Sequence, residues 1–208
     1  MGFGERDSRS LDCVLTVSSF SGRIMRVYIL GIGDCGMKTD YILHKELDKV
    51  LDLLTPGNRI VMKTAIQTGL RISDVLSLRR EKLARQFWIT EQKTGKRRRV
   101  SLTESLLSEI LLQSEGSEWA FPGRKPGEHR TRQAVWKDVK RAQKAFRLPQ
   151  NLGTHTARKV YAVELFDRYG DIQRVRRALN HESVEVTILY AMADELTRRR
   201  LSKRKKTG

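Results

Sequence analysis

The side chains best suited to chemistry lie in one stretch, Gly153 to Met192, GTHTARKVYAVELFDRYGDIQRVRRALNHESVEVTILYAM. His155 and Arg158 are three residues apart, His181 follows, and Tyr190 comes nine residues after it. At the start of a helix, residues three apart share a side, so His155 and Arg158 are expected to face a ligand or solvent rather than the core. Two further pieces lie upstream: Arg71 in TGLRISDVLSLR, and Lys93 in the basic run WITEQKTGKRRRVSL. Arginine offers a planar fork of donors that fits a phosphodiester, and donors aimed at developing charge are worth about 10²–10³ in rate each. A tyrosine phenol, with a pKa of about 10, makes a phosphate ester that a sugar hydroxyl can displace again. Arg71 and Arg158 therefore read as a phosphate clamp and Tyr190 as a nucleophile. Lys93, preferred over Lys96 from its place before the Thr-Gly turn, reads as the acid for a departing oxygen. His155 is the candidate acid–base group for the tyrosine proton, and His181 a further phosphate donor.

Each of these residues has a blander reading. A tyrosine on a C-terminal helix is usually half-buried structure, a single histidine is ordinary, and a run such as GKRRR is usually a solvated face. Their conjunction in this order carries the argument. Net charge points the same way. Lys and Arg number 41 against 24 Asp and Glu, a formal charge of +17, which suits a polyanionic partner, nucleic acid first.

The elements that must position these residues follow from periodicity. With 39% hydrophobic residues in 208, the chain has room for one domain with a full core. Residues 1–36 carry scattered Gly and Ser, with short strands as the best reading of VLTVSSF and IMRVYILGI. They are expected to be an appendage, and the domain proper to begin near Met37. From there Thr39 or Asp40 can cap a helix bearing Leu47, Val50, Leu51 and Leu54 at i, i+3, i+4, i+7. Pro56-Gly57 reads as a turn, followed by a helix from Asn58 to Thr68 with Ile60, Val61 and Ala65 inward. Gly69 breaks it, and a short helix places Ile72, Val75 and Leu76 on one face, leaving Arg71 at the junction.

The period then becomes two. QFWITE (86–91) and RRRVSL (97–102) form a β-hairpin around a glycine turn, and Trp119-Ala120-Phe121 reads as a third strand. Thr103 caps a helix with Leu106, Leu107, Ile110 and Leu111 inward. GRKPGEHR (123–130) is a cationic loop, and a helix from Thr131 buries Val135, Val139, Ala142 and Phe146. The helix from Thr154 has Ala162, Leu165, Phe166 and Tyr169 as its stripe. Gly170-Asp171 separates it from one bearing Ile172, Val175 and Leu179. Ser183 caps a last helix with Val184, Ile188 and Met192, ahead of a basic tail over 193–208. The expected fold is thus α+β, mainly helical, with a small three-stranded antiparallel sheet.

These pieces resemble the catalytic domain of the tyrosine recombinase (phage integrase) family over residues 37–192. TGLRISDVLSLR resembles its first arginine box, EQKTGKRRRVSL the hairpin holding its catalytic lysine, HTAR its His-x-x-Arg box, and LNHESVEVTILY its Leu-Gly-His-to-Tyr box. The resemblance carries over Arg71, Lys93, His155, Arg158, His181 and Tyr190. Asn180 stands where the family has glycine, and Lys159 where histidine is common. The family's helical core-binding domain has no room in residues 1–36, so the chain resembles compact members such as fimbrial-type invertases.

The resemblance implies a site-specific recombinase that cuts one strand at a time through a 3′-phosphotyrosyl link, without cofactor or metal. Its partner is double-stranded DNA, held by a homotetramer with or without an accessory DNA-bending protein. DNA contacts are expected from Lys96, Arg97, Arg98, Arg124, Lys125, Arg130, Arg132 and Lys159, and a role in reaching a neighbouring protomer from the tail. Cys13 and Cys35 make no metal box or disulfide framework, so a reducing cytoplasm, close to the nucleoid, is expected. No apolar run approaches the roughly 18 residues of a membrane span. A strand-relaxing topoisomerase of the IB type, a regulator that has lost catalysis, and a basic RNA-binding protein are the alternatives.

Overall fold

A proline followed by a run of small and β-branched residues builds the central helix. The structure is a computed structural model describing residues 39–181, the His44 side chain excepted, together with Thr187, Tyr190 and Ala193. Within it, helix α2 (Pro56–Thr68) packs against five other helices: α1 (His44–Leu53), α3 (Ile72–Leu76), α4 (Glu104–Gln113), α5 (Arg132–Ala145) and α6 (Thr154–Tyr169). Val61, Met62, Thr64, Ala65 and Thr68 are buried along it, small enough to let neighbouring helices approach from several sides. The Thr64 and Thr68 hydroxyls donate to the carbonyls of Ile60 and Thr64, so burying them leaves no donor unsatisfied.

Two expected helix starts shift. Pro56-Gly57 opens α2 instead of forming a turn before it, since a proline at the first helical position lacks only an N–H that would have had no partner. A Cβ at Gly57 would lie 2.4 Å from the Arg130 guanidinium, which donates to Asn58 Oδ1 at 3.0 Å, so a larger residue there would push that side chain aside. Helix α1 starts at His44 behind Leu43 with no side-chain cap. Asp40 instead joins the segment before α6: its N–H donates to Asn151 O at 2.8 Å, and its carboxylate accepts from Asn151 N at 2.7 Å.

Strands β1 (Gln86–Thr90) and β2 (Arg97–Ser101) form a two-stranded antiparallel sheet with Ile89 opposite Arg98. Trp119-Ala120-Phe121 is not its third strand. Ala120 and Phe121 are wholly buried, and the backbone there bonds to residues 78–80, with Ala120 N–H donating to Leu78 O and Arg80 N–H to Glu118 O. The apolar pair is held by the core rather than by the hairpin edge.

Helix α5 is fastened to the start of α2 by Asp138, which accepts from Thr55 N and Oγ1, Asn58 Nδ2 and Arg141. Burial opposes its ionisation, but these hydrogen bonds outweigh it and hold the carboxyl below its usual range. Val135, Val139 and Ala142 are buried as expected, whereas Phe146 is 42% exposed because α5 ends before it.

On α6 the stripe is broader than the sequence suggests. Ala157, Val160 and Val163 join the main core, while Ala162 belongs to a smaller cluster with Val175 and Leu179 of α7 (Ile172–Leu179). Tyr161, Leu165, Phe166 and Tyr190 pack on that cluster, and Tyr169 is exposed. The first half of α6 therefore runs through the protein instead of lying on it. No helix of the described residues is long and apolar enough to cross a membrane. The expectations for residues 1–36, for the Ser183 cap with Val184, Ile188 and Met192, and for the tail beyond Ala193 lie outside the described residues.

Candidate active site

The site is assembled where three helix junctions meet the end of the hairpin. The first junction is at Gly69, which ends α2 in the left-handed conformation (φ +64°). Glycine adopts this φ without strain, and a Cβ there would lie 2.3 Å from the Tyr161 ring. Two residues on, Arg71 is the N-cap of α3. The second junction is Gly153, which opens α6, with its N–H donating to Thr156 Oγ1. The third is Asn180, ending α7 in the left-handed conformation (φ 50°), an asparagine-compatible position directly before His181.

Arg158 ties these junctions together. Its guanidinium donates to the carbonyl of Gly69 at 2.5 Å and to that of Leu179, each two residues ahead of another candidate, Arg71 and His181. Arg158 is only 2% exposed, so the expectation that it faces away from the core is corrected. With α6 passing through the core, a buried cation needs carbonyl partners, and the two helix ends supply them. Burial, and then the charge of Arg71, push its pKa down to about 10, which still leaves it a cation at neutral pH.

His181 and Tyr190 stand side by side, rings edge to face with centroids 5.0 Å apart. His181 Nδ1 is 3.2 Å from Thr187 Oγ1. Burial first, then Arg158 and Arg71, depress the His181 pKa to about 3, so the imidazole is neutral at pH 7. Tyr190 is half-buried on the Ala162/Val175/Leu179 cluster, within the electrostatic reach of Arg158. His155 is exposed on the first turn of α6. Partial desolvation and the charges of Arg132, Arg158, Lys159 and Arg71 hold it below its ordinary value. The structure thus puts His155 and His181 each within the fields of Arg71 and Arg158, and sets Tyr190 against His181. Lys93 stands apart, exposed on the hairpin turn.

Among the expected DNA contacts, Lys96, Arg97, Arg124, Lys125 and Arg132 are exposed, and Arg97 lies over the Trp88 ring. Arg130 is engaged with Asn58. Arg98 and Lys159 are corrected: both are turned inward. Arg98, its side chain 10% exposed, donates to the carbonyls of Thr68 and Ala178. Lys159, 2% exposed, donates to Thr39 O. For Arg98 the alternation of the strand already carries the signal, because Val100 on the same face is core.

Two carboxylates escaped the sequence reading. Glu91, wholly buried, holds Arg71 Nη1 at 2.5 Å and accepts from Thr94 Oγ1 at 3.0 Å, with Arg98 at 3.6 Å from its other oxygen. Asp74, also wholly buried, accepts from Gln92 N at 2.9 Å, and burial holds its pKa above the ordinary value. Strand alternation puts Glu91 on the inner face with Phe87, and an acid on the inner face of so basic a hairpin was the available signal.

The sequence profile of the phage integrase family matches residues 40–196, three-quarters of the chain and every candidate residue of the site. The chain belongs to this family. It is 33% identical over 139 residues to the probable integrase/recombinase YoeC of Bacillus subtilis, covering 64% of this chain and 76% of that one. It is also 30% identical over 147 residues to the putative integrase/recombinase y4qK of Sinorhizobium fredii, covering 68% and 47%. Against the tyrosine recombinase XerD of Shewanella oneidensis it is 24% identical over 169 residues, covering 73% and 56%. The chain thus spans about half the length of two of these three relatives. In structure it is similar to the site-specific recombinase XerH in a pre-cleavage complex with difH substrate (TM-score 0.60, 25% identity, 80% of this chain and 54% of that one). The recombinase XerA has the same fold (TM-score 0.65, 15% identity, 79% and 63%). The mainly helical fold with a small antiparallel sheet is that of the tyrosine recombinase catalytic domain.

Proposed function

We propose that this chain is a site-specific recombinase that cuts and rejoins double-stranded DNA through a 3′-phosphotyrosyl intermediate. Tyr190 Oη forms a bond to the scissile phosphorus, and the bond from phosphorus to the 5′ oxygen breaks. The phenol proton leaves to His155, and the departing oxygen takes a proton from Lys93. One phosphodiester is exchanged for one phosphotyrosyl ester, so nothing is oxidised or reduced, no water is consumed, and the strand can be resealed by the reverse step.

Arg71 and Arg158 receive the two negative charges that accumulate on the phosphate in the transition state, and neutral His181 adds a hydrogen bond without competing for a proton. The observation that carries this reading is the convergence of Arg158, His181 and Tyr190, with the His181 and Tyr190 rings 5.0 Å apart and Arg158 buried beside them. The structural relatives crystallised on recombination substrates support DNA as the ligand. The exposed Lys96, Arg97, Arg124, Lys125 and Arg132 hold the backbone, four protomers assemble on two sites, and one strand of each is cut at a time.

The test is denaturant-resistant DNA. Wild type and Tyr190→Phe are incubated with sheared genomic fragments, denatured and filtered, and the retained DNA is sequenced. Retention of a defined set of fragments by wild type alone is the expected result. Equal retention by both proteins overturns the assignment of Tyr190, and retention by neither overturns the transesterification. Relaxation of a supercoiled plasmid lacking that fragment set, by dilute protein, marks a topoisomerase instead.

A further inference from the structure

Glu91 is an anomaly in a chain of net charge +17: an acidic residue with no exposed surface, placed between two arginines and directly before the turn that carries Lys93. A buried carboxylate without a partner costs several kcal/mol, so its neighbours account for its being there. Its Oε2 is shared. Arg71 Nη1 donates to it at 2.5 Å, and the Thr94 hydroxyl donates to it at 3.0 Å. Its Oε1 makes no hydrogen bond and lies 3.6 Å from Arg98 Nη1. The backbone of Glu91 closes the same turn, its N–H donating to Lys96 O and its carbonyl accepting from Gly95 N–H. On the other side, Asp74, one turn of helix after Arg71, accepts from Gln92 N. The turn bearing Lys93 is therefore bonded at two points to the short helix that Arg71 opens, and one of those bonds passes through the carboxylate that holds Arg71 itself.

We propose that Glu91 is a positioning residue, its buried carboxylate locking one nitrogen of Arg71 and, through Thr94 on the same oxygen, tying the lysine-bearing turn to it, so that Arg71 and Lys93 meet a single DNA phosphate as a unit. Arginine has five N–H donors, and fixing one Nη leaves the outer edge of the guanidinium free to fork onto a phosphate. A guanidinium on a flexible stem gains most from such pre-organisation, since a misplacement of about 1 Å near a reacting centre costs about 100-fold in rate. Arg98 completes the arrangement as the second cation on the carboxylate, which is why this member of the basic hairpin turns inward.

The inference rests on the transesterification reading, and its test has one arm that does not. In the first arm, Glu91→Gln, which keeps the shape of the side chain, is compared with wild type on the recovered genomic fragments. Adduct formation is expected to slow roughly 10- to 100-fold while non-covalent retention of the same DNA stays unchanged. Thr94→Val is expected to slow it less, and Thr94→Ser to restore it. Arg71→Ala with Glu91→Gln is expected to be slowed by less than the product of the two single losses, because Glu91 acts largely through Arg71. A multiplicative loss in the double variant, or an unchanged rate in Glu91→Gln, overturns the proposal.

The second arm needs no DNA activity. Arg71 is modified with p-hydroxyphenylglyoxal and followed by peptide mass spectrometry, and Glu91→Gln is expected to raise its modification rate several-fold without changing that of exposed Arg124. An equal rate in both proteins refutes the positioning role. Absence of any wild-type adduct, by contrast, refutes only the transesterification and leaves this arm to decide.

Discussion

Replacing Arg158 by methionine separates a cation kept for chemistry from one kept for architecture. Two opposing effects set the outcome. The guanidinium satisfies the carbonyls of Gly69 and Leu179, and removing it leaves two buried acceptors without that donor, at about 1–3 kcal/mol each. Against this, burial and Arg71 hold the Arg158 pKa at about 10 instead of 12.5, a difference of 12.5 − 10 = 2.5. At about 1.36 kcal/mol for each pKa unit, the charged form is disfavoured by roughly 3 kcal/mol, which methionine releases. The opposing effects largely offset one another, so Arg158→Met is expected to change unfolding free energy by no more than about 3 kcal/mol. Its covalent adduct formation should nevertheless fall at least about 100-fold, because a donor to the transition-state phosphate is gone. Urea unfolding followed by tryptophan fluorescence, beside the denaturant-resistant adduct assay, reads both numbers. A loss of more than about 4 kcal/mol would show that the carbonyl ties dominate and that the energetic reasoning is wrong. An unchanged adduct yield would remove Arg158 from the clamp.

Acid should weaken the fold through His181. The unfolded imidazole takes up its proton around 6.5 and the folded one only around 3, so between those values the unfolded chain binds more protons. The contribution is complete above about pH 6.5 and fades as the pH falls towards 3, by roughly 1–3 kcal/mol once solvent screening is allowed for. His181→Gln should flatten that part of the stability–pH curve, and an unchanged slope speaks against a buried neutral histidine. Gly69→Ala should cost at least about 1–2 kcal/mol from the left-handed backbone alone, with more from the Tyr161 ring, and should slow cleavage because Arg71 follows the bend. Wild-type stability of that variant, measured by urea unfolding, contradicts the junction as described. Arg97→Ala should weaken DNA binding and reduce its salt slope by about 1, whereas Arg98→Ala should lower stability by about 3–5 kcal/mol through loss of a partner for Glu91 and two carbonyls. Equal effects of the two on DNA binding, read by fluorescence anisotropy over a salt series, refute the inward placement of Arg98.

Much of the fold was legible because its signals are local. Leu47, Val50, Leu51 and Leu54 are buried at the spacing that predicts a helix, Gly69 and Gly170 end helices with positive φ, and Thr103 and Thr131 cap as their side chains suggest. What escaped the sequence depends on partners far along the chain. Asp40 looked like a cap and instead bonds to Asn151. Trp119-Ala120-Phe121 looked like a strand of the hairpin sheet, and instead buries Ala120 and Phe121 in the core. The candidate residues could be picked out by type and spacing, but their burial could not. Arg158 is polar at a position where periodicity alone predicts exposure, and only the carbonyls of Gly69 and Leu179, 89 and 21 residues away, explain why it turns inward. Glu91 and Arg98 are the instructive misses. Period-two alternation from Phe87 and Val100 assigns both to the inner face, and opposite charges facing each other inside a basic hairpin then imply a purpose.

The central claim, that Tyr190 forms a covalent bond to a DNA strand beside His181 and Arg158, is open to direct chemical identification. Adducts recovered after denaturation are trimmed with nuclease, digested with protease and sequenced by tandem mass spectrometry. A 3′-phosphonucleotide on the peptide containing Tyr190, absent from Tyr190→Phe, is the predicted result. The same mass on another residue, or an adduct that survives the Tyr190→Phe substitution, contradicts it.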